Sequence, residues 1–341
     1  MKECLFYRKL ENKKVQCETC HHYCTILPGN RGICGVRENK DGKLCLLVYN
    51  KAVSCNIDPI EKKPLFHFMP GSYSFSVATV GCNFHCQNCQ NADISQASKE
   101  GCFFDKSEIP GEKLTPKEII EQAKKNNCQS ISYTYTEPTI FFKYALDIMR
   151  LAQKEGLKNC FVSNGYMTEK VLKKVKPYLD AINVDLKFFN NTSYLKICGA
   201  KLKPILENLK LIKKLGIWLE ITTLLIPKYN DSVKELTALA NFIAKELGIN
   251  TPWHISRFYP AYKLIDVEPT PVEKIHEACN IGKKAGLKYV YAGNIPDDNF
   301  ENTYCPKCGK IMIKRIEYEI ERFDKNGKCS KCNNNLDLIL K

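Results

Sequence analysis

The chain has 341 residues, a formal net charge of +14 and 44% hydrophobic residues. This composition is ordinary for a globular protein and excludes an intrinsically disordered chain. No apolar run reaches the length of a membrane-spanning helix, and the start, MKECLFYRKLENKK, lacks the apolar stretch of a secretory signal. We therefore expect a cytoplasmic protein without a membrane partner.

Cysteine is unusually frequent, with 19 residues in the chain. In a reducing compartment this number indicates metal sites rather than disulfides. The lysines are spread through stretches such as KKNN, LKKVK and IKKLG instead of forming one block. A solvated surface therefore explains the positive charge better than a nucleic-acid interface does.

The first predicted unit is a cysteine-rich segment, residues 1–70. Proline-glycine, arginine-glycine and aspartate-glycine pairs predict loops and short strands there rather than long helices. Four thiolates could bind a metal, either zinc or an auxiliary [4Fe-4S] cluster, and His21 or His22 could replace one of them. These thiolates belong to Cys17, Cys20, Cys24 and Cys34.

The second predicted unit, residues 71–298, alternates short β-rich runs with amphipathic stretches. The predicted strands are 74–80, 130–135, 159–163, 181–187, 218–226, 253–258 and 287–292. The predicted helices lie near 116–126, 139–155, 168–177, 203–215, 231–247 and 271–285, and their starts are marked by TP at 115–116, EPT at 137–139 and DS at 231–232. This pattern predicts an α/β fold with parallel strands, a partial (βα)6-type TIM barrel whose site lies at the carboxyl ends of the strands.

The loop after the first of these strands reads GCNFHCQNCQN and contains Cys82, Cys86 and Cys89. Three thiolates are one fewer than a tetrahedral zinc site needs, whereas a [4Fe-4S] cluster held by three thiolates keeps one iron open. A zinc loop completed by His85 or by a remote residue is the alternative. The spacing and the position at a strand end favour the cluster.

This cysteine spacing in this loop resembles the signature of the radical S-adenosylmethionine (radical SAM) superfamily. The chain resembles the enzymes that activate glycyl-radical proteins such as pyruvate formate-lyase, and it resembles still more their relatives, the radical SAM enzymes of the AmmeMemoRadiSam system. The latter resemble it in the N-terminal cysteines, in DPIEKKPLFHFMPGS (58–72) and in GCNFHCQNCQN. The resemblance implies a [4Fe-4S] cluster, S-adenosylmethionine (SAM) and a reductant such as ferredoxin or flavodoxin.

The resemblance also implies residues that hold the methionyl end of SAM. Thr136 and Glu137 match the motif that receives the amine. Asp185 and Lys187 match a triplet in which the acid meets the amine and the lysine meets the carboxylate, and strand alternation places both on one face. His254 matches a strand histidine near that carboxylate.

Two further positions match family positions that contact the rest of SAM. Ser163 and Asn164 resemble the polar turn whose hydroxyl reaches the methionyl group and whose neighbour reaches the ribose. Asn88 stands at the position where the superfamily usually has an aromatic residue beside the adenine. Without the resemblance, Glu137 would be interpreted as a helix cap, Asp185 and Lys187 as a strand-end salt bridge, and His254 as a core histidine.

The third predicted unit, residues 299–341, contains two Cys-x2-Cys pairs separated by the β-like stretch IMIKRIEYEIERF. This pattern is typical of a zinc ribbon, and a rubredoxin-like iron site is the alternative. The ligands would be Cys305, Cys308, Cys329 and Cys332. The other cysteines are expected to bind no metal; they are Cys4, Cys45, Cys55, Cys102, Cys128, Cys160, Cys198 and Cys279.

Three functions are compatible with these observations. The first is an activase that takes hydrogen from a glycine of a partner protein, which the matches at Glu137, Asp185 and Lys187 favour. The second is a radical enzyme that modifies a small molecule, a lipid or a macromolecule. The third, a zinc-bearing nucleic-acid-binding protein, explains neither the βα alternation nor the three-thiolate loop and ranks last.

Overall fold

The computed structural model describes residues 1–100, 109–295 and 299–341. The strands are β1 (Lys2–Glu3), β2 (Tyr7–Lys9), β3 (Val15–Cys17), β4 (Thr25–Ile26), β5 (Arg37–Lys40), β6 (Lys43–Leu46), β7 (Lys51–Ala52), β8 (Ser54–Pro59), β9 (Tyr73–Ala78), β10 (Glu112–Lys113), β11 (Ser130–Tyr133), β12 (Lys158–Ser163), β13 (Ala181–Asp185), β14 (Trp218–Leu225), β15 (Trp253–Arg257), β16 (Val290–Gly293), β17 (Thr303–Tyr304), β18 (Ile311–Ile316) and β19 (Glu319–Arg322).

The helices follow the strands along the chain. They are α1 (Ala92–Ser95), α2 (Ala97–Glu100), α3 (Pro116–Lys125), α4 (Phe142–Lys154), α5 (Glu169–Val175), α6 (Asn191–Ser193), α7 (Leu202–Lys214), α8 (Val233–Phe242) and α9 (Val272–Lys284). Short 3₁₀ helices span Ile60–Lys62 and Asn299–Glu301, and π-helical turns span Tyr194–Cys198 and Ile243–Leu247.

In the described part of the chain, the largest sheet has eight strands in the order β16-β15-β14-β13-β12-β11-β9-β8. The strands from β9 to β16 in this sheet pair in parallel, and β8 pairs antiparallel with β9 at one edge. Parallel pairing brings the carboxyl ends of consecutive strands to the same edge. The α/β fold with a mostly parallel sheet is therefore confirmed.

The local signals in the sequence explain where several elements begin. Thr115 caps α3, because its hydroxyl accepts from the Glu118 backbone N–H at 3.3 Å and the Glu118 side chain accepts from the Thr115 backbone at 2.6 Å. Ser232 caps α8 through its side chain, which accepts from the Glu235 backbone N–H. The helices bury one apolar face each, as Ile119, Ile120 and Ala123 do in α3.

Three details differ from the sequence-based prediction. Strand β8 joins the main sheet, which was not predicted, because residues 1–70 were expected to form a separate unit of loops and short strands. Helix α4 begins at Phe142 rather than near 139, because residues 137–141 form a turn around Glu137. The predicted helix 231–247 ends in the π-helical turn Ile243–Leu247. Cys102 lies outside the described residues.

The N-terminal strands form two small antiparallel sheets, β2-β3-β4 and β1-β6-β5. Buried Arg37 of β5 connects them to the main sheet, because its guanidinium donates to the carbonyls of Thr139 and Ile140 at 3.0 and 2.9 Å. The Cys34 carbonyl also packs against Gly81, immediately before Cys82. The cysteine-rich segment is therefore packed directly against the cysteine loop that follows β9.

The C-terminal strands β17, β18 and β19 form an antiparallel sheet that also contacts the main sheet. Arg315 is buried; its guanidinium stacks 4.1 Å from the Phe66 ring and donates to the Phe66 carbonyl at 2.9 Å. Phe68 forms a β-bridge with Ile339. Across the described ranges, we find no helix with the length and apolar character needed to cross a bilayer.

We predict that Gly81→Ala is markedly more destabilising than an ordinary glycine substitution. Gly81 has a φ of +95°, and a Cβ there would lie 2.7 Å from the Cys34 carbonyl oxygen. The loss in the free energy of unfolding should exceed the strain of about 1–2 kcal/mol that the left-handed backbone alone imposes. Thermal unfolding measures the difference.

Gly156→Ala is the matched control, because Gly156 also has a positive φ and no atom lies within 4 Å of the position that an added Cβ would take. Equal losses of melting temperature in the two variants would contradict the close packing of Gly81 against Cys34.

Candidate active site

A cavity of about 610 Å³ opens at the carboxyl-end edge of the parallel sheet. The loops after β9, β11, β12 and β13 contribute to its wall, as do side chains of β14 and β15. Every residue that the sequence assigned to the cluster or to SAM lines this cavity: Cys82, Cys86, Asn88, Cys89, Thr136, Glu137, Ser163, Asn164, Asp185, Lys187 and His254.

The cysteine loop is held in place by buried anchors and backbone hydrogen bonds. Phe84 is buried, and its ring makes edge contacts with the rings of Tyr166 and Tyr194. The backbone N–H groups of His85 and Gln87 donate to the carbonyls of Cys198 and Ile197, each at 3.0 Å. These contacts fix the loop whose three cysteines line the cavity.

The three thiols lie in a poorly solvated environment. Burial raises the pKa of Cys82 and of Cys89, and hydrogen bonding with Cys198 together with burial raises that of Cys86. Because metals bind thiolates, loading this site must release protons. Within the described residues, the three sulfurs do not all lie within 4.8 Å of one another, so they are not arranged around a single ion.

An ion pair lies beside the thiols. The Lys187 ammonium donates to Asp185 Oδ2 at 2.7 Å. Burial lowers the pKa of Lys187, but Asp185, Cys86 and Cys198 raise it, and the net pKa is well above its usual value. The cavity therefore contains a permanent cation next to an acceptor carboxylate, which suits a zwitterionic amino-acid group.

Glu137 is fully buried and connects two loops. Its Oε1 accepts from the Thr139 backbone N–H at 3.0 Å, and its Oε2 accepts from the Asn164 backbone N–H at 2.8 Å. The Ser163 hydroxyl donates to the same carboxylate at 2.9 Å. Burial raises the pKa of Glu137, although these donors act in the opposite direction. The carboxylate thus fixes the shape of the Ser163-Asn164 turn as well as lining the cavity.

His254 is oriented by a residue that sequence reasoning missed, Glu220 of β14. The buried Glu220 carboxylate lies 2.7 Å from His254 Nε2. It also accepts from the backbone N–H groups of Phe66 and His67 at 3.0 and 2.9 Å. The sequence contained one signal for Glu220, namely an acidic residue between Leu219 and Ile221 in an otherwise apolar strand. Glu220 therefore joins the 58–72 run to the cavity wall.

The 58–72 run contributes another missed group at the cavity, Lys63. Its ammonium donates to Asp58 Oδ2 at 2.6 Å and lies over the Tyr135 ring. Burial lowers the pKa of Lys63 to about 8. The tip of the β18–β19 hairpin, Glu317 and Tyr318, lines the same cavity. The first and third predicted units therefore both contribute to the site.

Several buried polar atoms around the cavity have no hydrogen-bond partner within the described residues. They are Glu61 Oε2, Asn88 Oδ1 and Thr222 Oγ1, and all three residues line the cavity. A buried polar atom without a partner is costly, and a polar ligand would satisfy it. The thiols, the ion pair and these atoms together fit an iron-sulfur cluster with a polar ligand beside it.

The four C-terminal cysteines form a compact metal-binding group. All their sulfur atoms lie within 4.8 Å of one another. Cys305 Sγ is 3.6 Å from Cys332 Sγ, and Cys308 Sγ is 3.6 Å from Cys329 Sγ. A tetrahedral site with metal–sulfur bonds of about 2.3 Å requires sulfurs about 3.8 Å apart. This group can therefore bind one metal ion.

The four N-terminal cysteines line a separate small cavity together with Arg37, His22 and Asn83. Cys17 and Cys34 are buried, and Cys20 and Cys24 are half-buried. His22 Nε2 is 2.8 Å from the Asn83 carbonyl oxygen, so its ring is already engaged. Cys198 is buried, and its thiol forms a hydrogen bond with that of Cys86.

Comparisons with known proteins agree with this geometry. Residues 76–240 match the Radical SAM superfamily. The chain is 45% identical to the uncharacterized protein MJ0808 of Methanocaldococcus jannaschii, over all of both chains. It is 22% identical to the pyruvate formate-lyase-activating enzyme of Clostridium pasteurianum, over 57% of this chain and 83% of that enzyme.

A solved structure shares the fold. Streptococcus suis SuiB bound to S-adenosylmethionine aligns with a TM-score of 0.50 and 11% identity, covering 63% of this chain and 49% of SuiB.

We predict that Glu61→Gln alters how stability depends on pH. Burial raises the pKa of Glu61 from 4.5 to about 7. The folded chain then binds the proton of the Glu61 carboxyl more tightly than the unfolded chain does. Protonation of Glu61 therefore stabilises the fold fully below pH 4.5, and this stabilisation is lost as the pH rises through 7. The loss should be on the order of 3 kcal/mol. Melting temperatures of both proteins between about pH 4 and 8 measure it.

The Glu61→Gln variant should gain melting temperature relative to the wild type as the pH rises. Glu112→Gln, at an exposed position of β10, is the control and should follow the wild type. Parallel curves for the wild type and Glu61→Gln would refute the raised pKa.

Proposed function

This chain belongs to the radical SAM superfamily, and on that premise we propose that Cys82, Cys86 and Cys89 hold its [4Fe-4S] cluster with one iron open to SAM. One observation supports the assignment most strongly: the three thiols share a cavity with an ion pair and with buried polar atoms that lack partners among the described residues. Superfamily membership makes the protein a radical SAM enzyme that resembles the activating enzymes.

When bound, the cluster and SAM supply a 5′-deoxyadenosyl radical by reductive cleavage, and this radical takes hydrogen from a substrate. The protein's own residues bind, orient and shield these groups. We assign Asp185 and Glu137, with Thr136, to the methionyl amine. Lys187 and His254 face the carboxylate.

The remaining contacts follow from the positions of the residues around the cavity. Ser163 and Asn164 lie on the turn that Glu137 fixes, and we assign them to the methionyl group and the ribose. Asn88 offers its unpartnered Oδ1 near the adenine. Glu220 acts through His254 as a positioning residue, because it holds the ring that faces the cavity.

For the substrate, we propose a glycine of a partner protein. The similarity to a pyruvate formate-lyase-activating enzyme supports this class of reaction. The electron would come from a reduced iron-sulfur or flavin protein such as ferredoxin or flavodoxin. Glu317 and Tyr318 line the same cavity and are available to contact the substrate.

We further propose that the main sheet is a partial (βα)6-type barrel over residues 71–298, between a metal-binding segment 1–70 and a zinc-ribbon-like module 299–341. The sulfur spacing of Cys305, Cys308, Cys329 and Cys332 supports a single zinc ion there. The buried core around these cysteines contains only Met312 and Leu336 among the described residues. So small a core needs a metal to fold.

Replacing Cys82, Cys86 or Cys89 by alanine should abolish SAM cleavage, because each change removes one of three cluster ligands. Protein reconstituted anaerobically and reduced with dithionite is assayed for 5′-deoxyadenosine. Cys55→Ala, which removes an exposed cysteine, is the control and should keep wild-type activity. Full activity in any of the three ligand variants would refute the cluster assignment.

Asp185→Asn should weaken SAM binding roughly 10- to 100-fold, because it removes a charge-assisted hydrogen bond worth about 1.5–3 kcal/mol. Glu137→Gln should weaken it at least as much, since it also disturbs the Ser163-Asn164 turn. Anaerobic calorimetry on cluster-loaded protein measures the affinity.

The exposed Asp266→Asn is the matched control for the loss of one negative charge. Iron content must equal that of the wild type in every variant compared. An Asp185→Asn protein with unchanged affinity would exclude Asp185 from the amine site.

A further inference from the structure

The N-terminal cysteine group, which we define as Cys17, Cys20, Cys24 and Cys34, surrounds a cavity that the SAM site does not use. Two of the four thiols are buried and two are half-buried. They come from three separate stretches: the end of β3, the loop that leads to β4, and the loop before β5. Four thiols that converge from three stretches on one cavity form a set of metal ligands.

The spacing of the sulfurs separates a single ion from a cluster. Within residues 1–100, 109–295 and 299–341, the C-terminal cysteines alone satisfy the 4.8 Å limit that a mononuclear site requires. The N-terminal group does not satisfy it, and neither do Cys82, Cys86 and Cys89. In a [4Fe-4S] cluster each thiolate binds a different iron, so its sulfurs lie farther apart than those around zinc. Within the described residues, the N-terminal sulfurs are therefore not arranged around a single ion, and the same holds for Cys82, Cys86 and Cys89.

A buried cation faces this group. Arg37 is 4% exposed, and its guanidinium lies 3.7 Å from Cys17 Sγ. Its other acceptors are neutral: the Thr19 hydroxyl and the carbonyls of Thr139 and Ile140. A buried charge requires a counter-charge nearby. Four thiolates around a metal centre supply it. This charge balance suits zinc and a cluster equally, and the cluster is favoured because the sulfurs are not arranged around a single ion.

The N-terminal group lies next to the catalytic cysteine loop. The Cys34 carbonyl accepts from the Ser98 hydroxyl at 3.3 Å and packs against Gly81, the residue before Cys82. Lys99 donates to the Phe84 carbonyl at 2.7 Å and interacts electrostatically with the thiols of both Cys34 and Cys82. A single lysine thus lies near both sets of ligands.

We propose that the N-terminal group holds a second [4Fe-4S] cluster, which passes one electron to the catalytic cluster. The N-terminal cluster site does not depend on the proposed function of Cys82, Cys86 and Cys89, whereas the electron transfer rests on that proposed function. The electron comes from a reduced iron-sulfur or flavin protein, and the second cluster returns to its oxidised state when it passes the electron on. Each SAM molecule that is cleaved consumes one electron.

Metal analysis tests the site without reference to activity. After anaerobic reconstitution with ferrous iron and sulfide, the wild type should contain about eight irons and one zinc per chain. The triple variant Cys82→Ala/Cys86→Ala/Cys89→Ala should keep about four irons. When reduced, its cluster should give an electron paramagnetic resonance (EPR) signal that SAM leaves unchanged. Cys55→Ala, the control, should match the wild type.

The triple variant leaves the N-terminal ligands intact, so its iron content does not depend on whether an N-terminal variant folds. A triple variant that contains zinc in place of this iron, or no metal at the N-terminal group, would overturn the proposal. A different result would overturn the catalytic assignment alone: the triple variant retains four irons, but SAM does not change the EPR signal of the wild type.

The yield of 5′-deoxyadenosine per chain tests the electron transfer between the clusters. Wild-type protein and a variant with all four N-terminal cysteines changed to alanine are reduced, freed of reductant and mixed with SAM. The wild type holds two electrons and should form about two 5′-deoxyadenosine molecules per chain, and the variant, with its catalytic iron intact, about one. Equal yields would refute the transfer of an electron between the clusters.

Discussion

The active site depends on the parallel register of the strands from β9 to β16. Paired residues such as Ser74 and Ser130, or Asp185 and Thr222, fix each strand against the next. Because all the carboxyl ends then lie at one edge, loops far apart in sequence meet around one cavity. A one-residue slip would turn alternate side chains away from the cavity. The register thus makes the chemistry possible before any cofactor binds.

Burial gives the cavity its electrostatic character. Lys187 and Asp185 pair beside the thiols, and Glu220 holds His254 while it also binds the backbone of the 58–72 run. Such groups are costly to bury unless their hydrogen bonds are satisfied. Most are satisfied by protein atoms. Among the buried side-chain atoms that lack a partner within the described residues, Glu61 Oε2, Asn88 Oδ1 and Thr222 Oγ1 belong to residues that line the cavity where SAM is proposed to bind.

The sequence predicted the strands of the main sheet and the helices between them because their periodicity is strong, and it singled out the loop of Cys82, Cys86 and Cys89, which lines the cavity, because the cysteine spacing is specific. It did not reveal that β8 joins the main sheet, because the pairing of β8 with β9 depends on tertiary contacts rather than on apolar pattern. Glu220 and Lys63 were missed because single charged residues have no signature until the fold brings them together. Likewise, only the structure shows that Glu317 and Tyr318 of the third unit reach the catalytic cavity.

The open iron is the centre of this account, and EPR spectroscopy of the reduced wild-type protein tests it most directly. Spectra are recorded before and after SAM is added to protein with a full iron content. Coordination of SAM to an open iron on the cluster of Cys82, Cys86 and Cys89 should change the signal of that cluster. A spectrum that SAM leaves unchanged would contradict the account.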